Sequence, residues 1–237
     1  MIEPHAQPCL GVVIPCRNEA RSLPLLLAQL HAAPDLVATV VVVDGGSSDG
    51  SAELAALAGA PVLRCPANRG LQLARGVALL DLPWLLLLHA DVRLPTGWSG
   101  AIGAAIDRSD PSSGPAWWFN LAIGERDPAL RLVEAAVALR SHWRQLPYGD
   151  QGLLLGRALL ERAGGIRPLP LMEDLDLVQR LQGISRLRCL GHPLLVSGRR
   201  WRQRGVWQAT LENARLRRSW RRGMPASLLA SRYGGGS

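Results

Sequence analysis

Lysine is absent from this 237-residue sequence, in which all 27 basic residues are arginine. This absence excludes chemistry that needs a Schiff-base lysine or the lysine of a phosphate-binding P-loop. No run of 18 or more apolar residues occurs, so no transmembrane helix is predicted. The first residues, MIEPHAQPCLG, lack both the basic region and the long apolar region of a signal peptide. We therefore expect a cytoplasmic protein.

Metal-ligand and nucleotide-binding signatures are also missing. The four cysteines, Cys9, Cys16, Cys65 and Cys189, are dispersed and form no CxxC pair or Cys/His cluster. We predict free, buried or half-buried thiols at these positions. Neither the GxGxxG pattern of dinucleotide sites nor the GxxxxGK[ST] pattern of P-loops is present.

Charge is concentrated near the C-terminus. The segment 199–222 contains nine arginines and a single acid, Glu212, which gives it a charge of +8 and equals the net charge of the whole chain. We predict two parts, a neutral body at 1–198 and a basic helical extension at 199–237. The extension can pack on the body with a solvated charged face, lie on an anionic membrane as a peripheral contact, or bind nucleic acid, of which the last is least favoured.

In the body, strand-like runs alternate with helical patterns. The runs are GVVIP at 11–15, TVVVVD at 39–44, PVLR at 61–64 and WLLLL at 84–88, and helical patterns follow at 19–31, 51–57, 70–80 and after Pro95. This rhythm predicts an α/β fold with a Rossmann-like, mostly parallel central sheet and helices on both faces. Ligands of such sheets bind beyond the carboxyl ends of the strands.

Polar side chains follow several of these predicted strands. The run LLLLHADVRLP at 85–95 leads a buried strand into His89 and Asp91, and VVVDGGSSDGS at 41–51 places Asp44 and Gly46 after another strand. A carboxylate and glycines at such a turn suit recognition of a nucleoside. Alternatively, Asp91 caps the following helix, His89 is structural, and the second run is an ordinary turn.

In combination, these motifs resemble one enzyme family. VVIPCRNEA, VVVDGGSSDGS, LLLLHADVRLP, GDQG and MEDLDLVQRL occur in the order and spacing of family 2 glycosyltransferases with the GT-A fold, and they span nearly the whole chain. HADxRLP, GDQ, PLMED and SGRRW further resemble a small subgroup that is associated with radical-SAM proteins and assigned to arsenosugar biosynthesis.

The resemblance implies a set of residues that bind a nucleotide-sugar donor. The implied donor residues are Pro15, Arg17, Glu19, Asp44, Gly46, Arg69, Gly70, Gln72, His89, Asp91, Arg200 and Trp201. In the family, a DxD element holds a divalent cation, Mn²⁺ or Mg²⁺, against the diphosphate. Here His89 replaces its first carboxylate, so Asp91 is the implied metal ligand. The arginines near position 69 are alternatively a solvated helix face.

The resemblance also implies the acceptor side. Asp174 is the implied base that removes the proton of the acceptor hydroxyl, and Glu173 orients the acceptor or the base. Tyr148, Asp150 and Gln151 line the acceptor side. Alternatively, both carboxylates only stabilise the N-terminus of a helix.

We therefore expect a metal-dependent, inverting glycosyltransferase that moves a sugar from a nucleotide sugar, a UDP-sugar being favoured, to the hydroxyl of a small-molecule or lipid acceptor. Two other functions are compatible with the residues. One is a sugar-phosphate nucleotidyltransferase, although the glycines expected after its first strand are missing from VVIPCRNEA. The other is a non-catalytic basic membrane or RNA adaptor on a degenerate transferase fold.

Overall fold

The structure is a computed structural model that describes residues 8–234. Most of the N-terminal segment in which the sequence predicts no signal peptide, and residues 235–237 of the predicted extension, lie outside the described residues. In residues 8–234, no helix combines the length and apolarity needed to cross a membrane.

Strands and helices alternate regularly in the first half of the chain. They are β1 (Leu10–Cys16), α1 (Leu23–His31), β2 (Val37–Asp44), α2 (Ser51–Leu57), β3 (Val62–Arg64), α3 (Arg69–Ala78), β4 (Trp84–Leu87), β5 (Val92–Arg93) and α4 (Trp98–Asp107).

Helices dominate the second half. Its elements are β6 (Ala116–Ile123), α5 (Pro128–Arg144), a 3₁₀ turn (Gly149–Gln151), β7 (Leu153–Gly156), α6 (Arg157–Arg162), α7 (Glu173–Gln182), β8 (Leu187–Val196), α8 (Arg199–Arg204), α9 (Val206–Arg221) and α10 (Ala226–Gly234).

One sheet runs through the molecule in the strand order β3-β2-β1-β4-β7-β6-β8-β5. The pairs β1/β2, β1/β4, β2/β3 and β6/β8 are parallel, whereas β7 is antiparallel to both neighbours and β5 is antiparallel to β8. The predicted α/β fold with a mostly parallel sheet is confirmed. Its register places Cys16 beside Asp44, so the loops after β1 and β2 leave the sheet together.

Both faces of the sheet are covered, as predicted. Alternate strand residues such as Val12 and Ile14 pack under α1, α2, α4 and α5, while Val13 packs with α3, α6 and α7. This alternation follows from the two-residue repeat of a strand. The unbroken apolar runs of the sequence reflect burial on both faces.

The C-terminal helices pack on the body through a third apolar cluster. Leu216 of α9 and Leu229 of α10 meet Leu171, Met172 and Leu175 at the start of α7. On α9, Val206 also packs against the main core, while Trp207 and Leu211 are exposed. The basic extension therefore lies against the same end of the sheet at which the strand loops emerge.

Two elements differ from the sequence prediction. Helix α1 begins at Leu23, not near residue 19, because residues 17–22 form a turn that places Glu19 just beyond the carboxyl end of β1. Strand β8 was not predicted, since Gly191 and Pro193 interrupt its pattern and are typical of loops. It nevertheless pairs with β6 around a register shift between Trp118 and Asn120.

Candidate active site

A cleft with a volume of about 570 Å³ opens at the carboxyl ends of β1 and β4, beside the start of α7 and the C-terminal helices. Among the predicted residues it is lined by Pro15, Arg17, Glu19, Arg69, Gln72, His89, Asp91, Tyr148, Asp150, Asp174, Arg200 and Trp201. The other predicted residues, Asp44, Gly46, Gly70, Gln151 and Glu173, are not part of its lining. Two acids that are distant in sequence, Asp91 and Asp174, thus share one cavity.

The loop after β1 is held by the turn after β2. The backbone N–H of Asn18 donates to Ser47 Oγ at 2.9 Å, and that of Ala20 donates to Asp49 Oδ2 at 3.0 Å. Asn18 has φ 55°, a left-handed conformation that asparagine tolerates better than most residues. These bonds fix the position of Glu19 between the two loops.

Glu19 links the loop after β1 to the C-terminal extension. Its Oε1 accepts from Arg199 at 2.6 Å, while its buried Oε2 has no hydrogen-bond partner among the described residues. Burial raises the pKa of Glu19, Arg199 opposes this shift, and the charge of Asp91 adds to it. One oxygen of this carboxylate is therefore engaged, and the other remains for a ligand.

Asp44 is engaged within its own turn. It is 2% exposed, and its carboxylate accepts from the backbone N–H groups of Gly46 and Ser47, both at 3.1 Å to Oδ2. Gly46 has φ 84°, a conformation that side chains rarely adopt, so the turn favours glycine. The structure therefore places Asp44 in the turn next to the cleft, where its carboxylate holds the turn backbone, and its contact with the nucleobase stays a prediction.

Gln72 and Gly70 both hold α3 in place. The Gln72 side-chain amide donates to the carbonyl oxygens of Cys16 at 3.1 Å and Val43 at 2.7 Å, which ties β1 to β2. At Gly70, a Cβ atom would lie 2.6 Å from the backbone nitrogen of Leu169, and the Gly70 N–H donates to Leu169 O at 3.1 Å. Glycine at this position permits close packing against the loop before α7, and its approach to the donor stays a prediction.

His89 lies between the two acids of the cleft. A Cβ atom on Gly149 would stand 2.7 Å from His89 Nε2 and 3.2 Å from Asp174 Oδ2, so these two side chains meet at that glycine. Burial lowers the pKa of His89 to about 4, and Arg69 acts in the same direction, against the opposite effects of Asp91 and Asp174. The imidazole is therefore neutral near pH 7.

The residues around Asp91 can hold a metal only with help from a ligand. Within residues 8–234, no group of three or more His, Cys, Asp or Glu side chains forms a metal site. Mg²⁺ and similar hard cations are commonly held by one or two carboxylates, with substrate phosphates and water completing the shell. The donor set at Asp91 fits a cation that is bound together with a diphosphate.

Asp174 is fixed by two backbone groups. Its Oδ2 accepts from the Gly149 N–H at 2.7 Å, and its Oδ1 accepts from the Leu175 N–H at 2.8 Å. Burial raises the pKa of Asp174, but Arg69 and these two hydrogen bonds outweigh burial, so that the pKa lies below its ordinary value. The side chain is an oriented carboxylate at the wall of the cleft.

Glu173 lies behind the cleft. It is 1% exposed, and it forms an ion pair with Arg69, which itself lines the cleft. Burial raises the pKa of Glu173, although Arg69 opposes the shift. Met172, directly before it, has φ 67°, a strained conformation for a residue with a side chain. Glu173 follows this turn directly and acts on the cleft through Arg69.

Gln151 is a buried residue beneath the cleft, and its side chain makes several hydrogen bonds. It is 0% exposed, and its Oε1 accepts from Ser141 Oγ at 2.9 Å and from Arg140 at 3.1 Å. Its amide nitrogen donates to the carbonyl oxygen of Phe119 at 3.2 Å. Of the predicted acceptor residues, Asp150 lines the cleft, whereas Gln151 holds the 3₁₀ turn on which Asp150 lies.

The C-terminal extension forms one wall of the cleft. Arg200 pairs with Glu212 at 3.2 Å, which connects α8 to α9. The indole nitrogen of Trp201 is buried and has no hydrogen-bond partner among the described residues. Asn213 and Arg217 line the cleft from α9.

Several lining residues were not predicted. They include Asn68, Met172, Leu175, Ser197, Asn213, Leu216 and Arg217. Asn213 and Arg217 are four residues apart and therefore share a helix face, a signal that the sequence contained. It could not be used because nothing in the sequence indicates which face of α9 meets the body.

A mostly parallel sheet that opens at its strand ends into a polar cleft, walled by two carboxylates from distant segments, is typical of ligand-binding α/β enzymes. The family can be stated as well. A sequence model of glycosyl transferase family 2 matches residues 11–163, and the chain belongs to this family of glycosyltransferases.

Solved structures of similar fold include other glycosyltransferases. Glucosyl-3-phosphoglycerate synthase from Mycobacterium tuberculosis, in complex with Mn²⁺, UDP and phosphoglyceric acid, is 19% identical, with a TM-score of 0.56 over 79% of this chain and 70% of that chain. S. aureus TarS 1-349 is 14% identical, with a TM-score of 0.61 over 80% and 60%. The mannosyltransferase PcManGT from Pyrobaculum calidifontis, in complex with GDP-Man and Mn²⁺, is 18% identical, with a TM-score of 0.59 over 81% and 57%. No curated protein matches the chain.

Proposed function

We propose that this glycosyltransferase is metal-dependent and inverting, and that it transfers a sugar from a nucleotide sugar to an acceptor hydroxyl. The observation that carries the proposal is the presence of Asp91 and Asp174 in the wall of one cleft of about 570 Å³. A volume of this size is typical of small-molecule sites.

The donor is proposed to bind near Asp91. Arg17, Glu19 and Arg200 line the cleft on this side, and Glu19 keeps one buried oxygen without a partner. A divalent cation held by Asp91 would offset the charge of the departing diphosphate. Two of the similar structures contain UDP or GDP-Man together with Mn²⁺, which supports a nucleotide sugar as donor. A UDP-sugar stays our prediction.

Asp174 is proposed to remove the proton of the acceptor hydroxyl. Its pKa is lowered, so it is ionised near pH 7, and the two N–H groups that hold it keep it in one orientation. A carboxylate of low pKa is ionised but is a weak base, so proton removal by Asp174 depends on its fixed orientation and on the departure of the diphosphate. Glu173 positions Arg69 beside this base and does not itself reach the acceptor.

The two alternative functions have less support than glycosyl transfer. Membership of family 2 favours a glycosyltransferase over a nucleotidyltransferase or a non-catalytic adaptor. The division at residue 198, a cytoplasmic location, a peripheral membrane contact through 199–222, and the association with radical-SAM proteins and arsenosugar biosynthesis stay predictions.

The test is whether Mn²⁺ increases stabilisation by a nucleotide and whether that increase depends on Asp91. The thermal midpoint is measured with UDP or GDP, each with and without Mn²⁺, for the wild type, Asp91→Asn and Asp81→Asn. Asp81→Asn is the matched control because Asp81 is exposed and precedes β4, at the opposite end of the strand from Asp91. A ligand at 100 times its Kd stabilises by about 2.7 kcal/mol, or about 5 to 10 °C here.

We expect the Mn²⁺-dependent shift in the wild type and in Asp81→Asn, and its loss in Asp91→Asn. A shift that is equal with and without Mn²⁺, or one that Asp91→Asn retains, contradicts the metal role of Asp91. If no nucleotide stabilises the wild type, the proposed donor site is wrong.

A further inference from the structure

Two arginines lie over the ring of Tyr148 at the edge of the cleft. The guanidinium carbon of Arg140 is 3.6 Å from the ring centroid, and that of Arg217 is 5.2 Å from it. Cation–π contacts of this kind hold a guanidinium in place without using its N–H donors. Tyr148 thus positions both cations next to the 3₁₀ turn.

The two arginines differ in the hydrogen bonds that their N–H groups make. Arg140 donates from Nε to Leu146 O at 3.0 Å and from a terminal nitrogen to Gln151 Oε1 at 3.1 Å. Arg217 lines the cleft and makes no hydrogen bond or ion pair with the described residues. Asn213, one turn earlier on α9, also lines the cleft, and its side-chain amide likewise makes no hydrogen bond within residues 8–234.

Asp150 adds a buried acceptor to the same part of the cleft. Its Oδ1 is buried and has no hydrogen-bond partner among the described residues. A buried polar atom without a partner is costly unless a ligand or water satisfies it. Burial raises the pKa of Asp150, while Arg140 and Arg217 are close enough to oppose that shift.

On the basis of the proposed function, we propose that the acceptor is a small anion with two or more hydroxyls. Its phosphate or carboxylate binds Arg217 and Asn213, its reacting hydroxyl faces Asp174, and a second hydroxyl donates to Asp150. A planar guanidinium with free donors suits either anion. The C-terminal extension then determines acceptor specificity.

The position of Arg217 favours the acceptor over the donor. Tyr148, on which Arg217 stacks, directly precedes Gly149, whose N–H holds the proposed base Asp174. The residues assigned to the donor, Glu19 and Asp91, lie instead beside Arg199. An anion at Arg217 would therefore hold an acceptor on the side of the base.

The experiment measures binding of three probes by calorimetry, with and without UDP and Mn²⁺. Glycerol 3-phosphate carries a phosphate, glycerate carries a carboxylate, and glycerol is the neutral analogue. The variants are Arg217→Gln and Arg218→Gln. The second is the matched control, because it removes the same charge from the same helix at an exposed position outside the cleft lining.

We expect at least one anionic probe to bind and glycerol not to bind. Arg217→Gln should weaken binding of the anion about tenfold or more, as expected for loss of a charge-assisted bond, and leave the affinity for UDP with Mn²⁺ unchanged. Arg218→Gln should bind both like the wild type. Phosphate and carboxylate acceptors are distinguished by which probe binds.

Three results would overturn the inference: no binding of either anion, equal weakening by both variants, or a loss of UDP affinity in Arg217→Gln without loss of anion affinity. The last would assign Arg217 to the donor. Anion binding that depends on Arg217, in a protein that binds no nucleotide, would instead contradict the proposed function and leave the anion site standing.

Discussion

Replacement of Gly149 by alanine tests the geometry of the proposed base without removing any functional group. An added Cβ would lie 2.7 Å from His89 Nε2 and 3.2 Å from Asp174 Oδ2. An ordinary contact between such atoms is about 3.5 Å, so His89 or the 3₁₀ turn must move by roughly 0.8 Å. The hydrogen bond from the Gly149 N–H to Asp174, at 2.7 Å, would move with the turn.

A displacement of this size has a predictable cost. Misplacement of a catalytic group by about 1 Å lowers a rate by up to about 100-fold, and overpacking costs about 1 to 3 kcal/mol of stability. We therefore expect glycosyl transfer by Gly149→Ala to fall roughly 10- to 100-fold while the protein stays folded. Binding of the nucleotide should change less than transfer, because the proposed metal ligand Asp91 is not displaced and only His89, among the predicted donor residues, is in contact with the added Cβ.

The assay is release of nucleoside diphosphate from a set of nucleotide sugars that carry the nucleotide, UDP or GDP, that stabilises the wild type. Gly100→Ala is the matched control, since a Cβ there meets nothing within 4 Å and Gly100 lies in helix α4. Alanine should be neutral or slightly stabilising at that position. Wild-type transfer rates in a folded Gly149→Ala variant would refute the idea that contact with this glycine positions Asp174.

Three further predictions concern stability and reactivity. Gln151→Leu should lower the free energy of unfolding by about 2 to 4 kcal/mol in urea titrations, because its buried hydrogen-bond partners lose their bonds. A change below about 1 kcal/mol would contradict a structural role for these hydrogen bonds. Gly76→Ala should be destabilising by about 1 to 3 kcal/mol in the same titration, since a Cβ would overlap Val13 and lie 2.9 Å from Val43 Cγ2; an unchanged midpoint would show that α3 can shift. Cys16 should resist iodoacetamide at pH 8 by mass spectrometry, because burial raises its pKa to about 11 and leaves about 0.1% thiolate; rapid labelling in the native state would contradict its burial.

Much of the fold was predictable because the first half of the chain obeys simple periodicity. Continuous apolar runs such as Trp84–Leu87 indicate strands that are covered on both faces, and the structure has them so. Strand β8 was not predictable, since it contains Gly191, a residue type that strands disfavour, and it pairs with β6, which is distant in sequence. Contacts between segments distant in sequence leave no local pattern.

The sequence identified many residues of the site, but it did not show which of their side chains face the cleft. Strand ends indicated His89 and Asp91, and the resemblance indicated Asp174, all of which line the cleft. Whether a polar residue faces a ligand or the backbone depends on rotamer and neighbours. Asp44 and Gln151 therefore looked like ligand contacts, although their side chains satisfy backbone and buried groups.

Three of the buried polar atoms that lack a hydrogen-bond partner among the described residues belong to the cleft. Glu19 Oε2, Asp150 Oδ1 and the Trp201 indole nitrogen are buried without a partner among the described residues, and all three residues line the cleft. Gln72, which braces the cleft, has its hydrogen bonds made within the protein, whereas Glu173 behind the cleft keeps its buried Oε2 without a partner among the described residues. An unmade buried hydrogen bond costs about 1 to 3 kcal/mol, which a ligand or water at the cleft would recover. Because Ser109 Oγ and the indole nitrogens of Trp117 and Trp118 are also buried without a partner among the described residues, such an atom indicates a ligand position only where its residue also lines the cleft, as Glu19, Asp150 and Trp201 do.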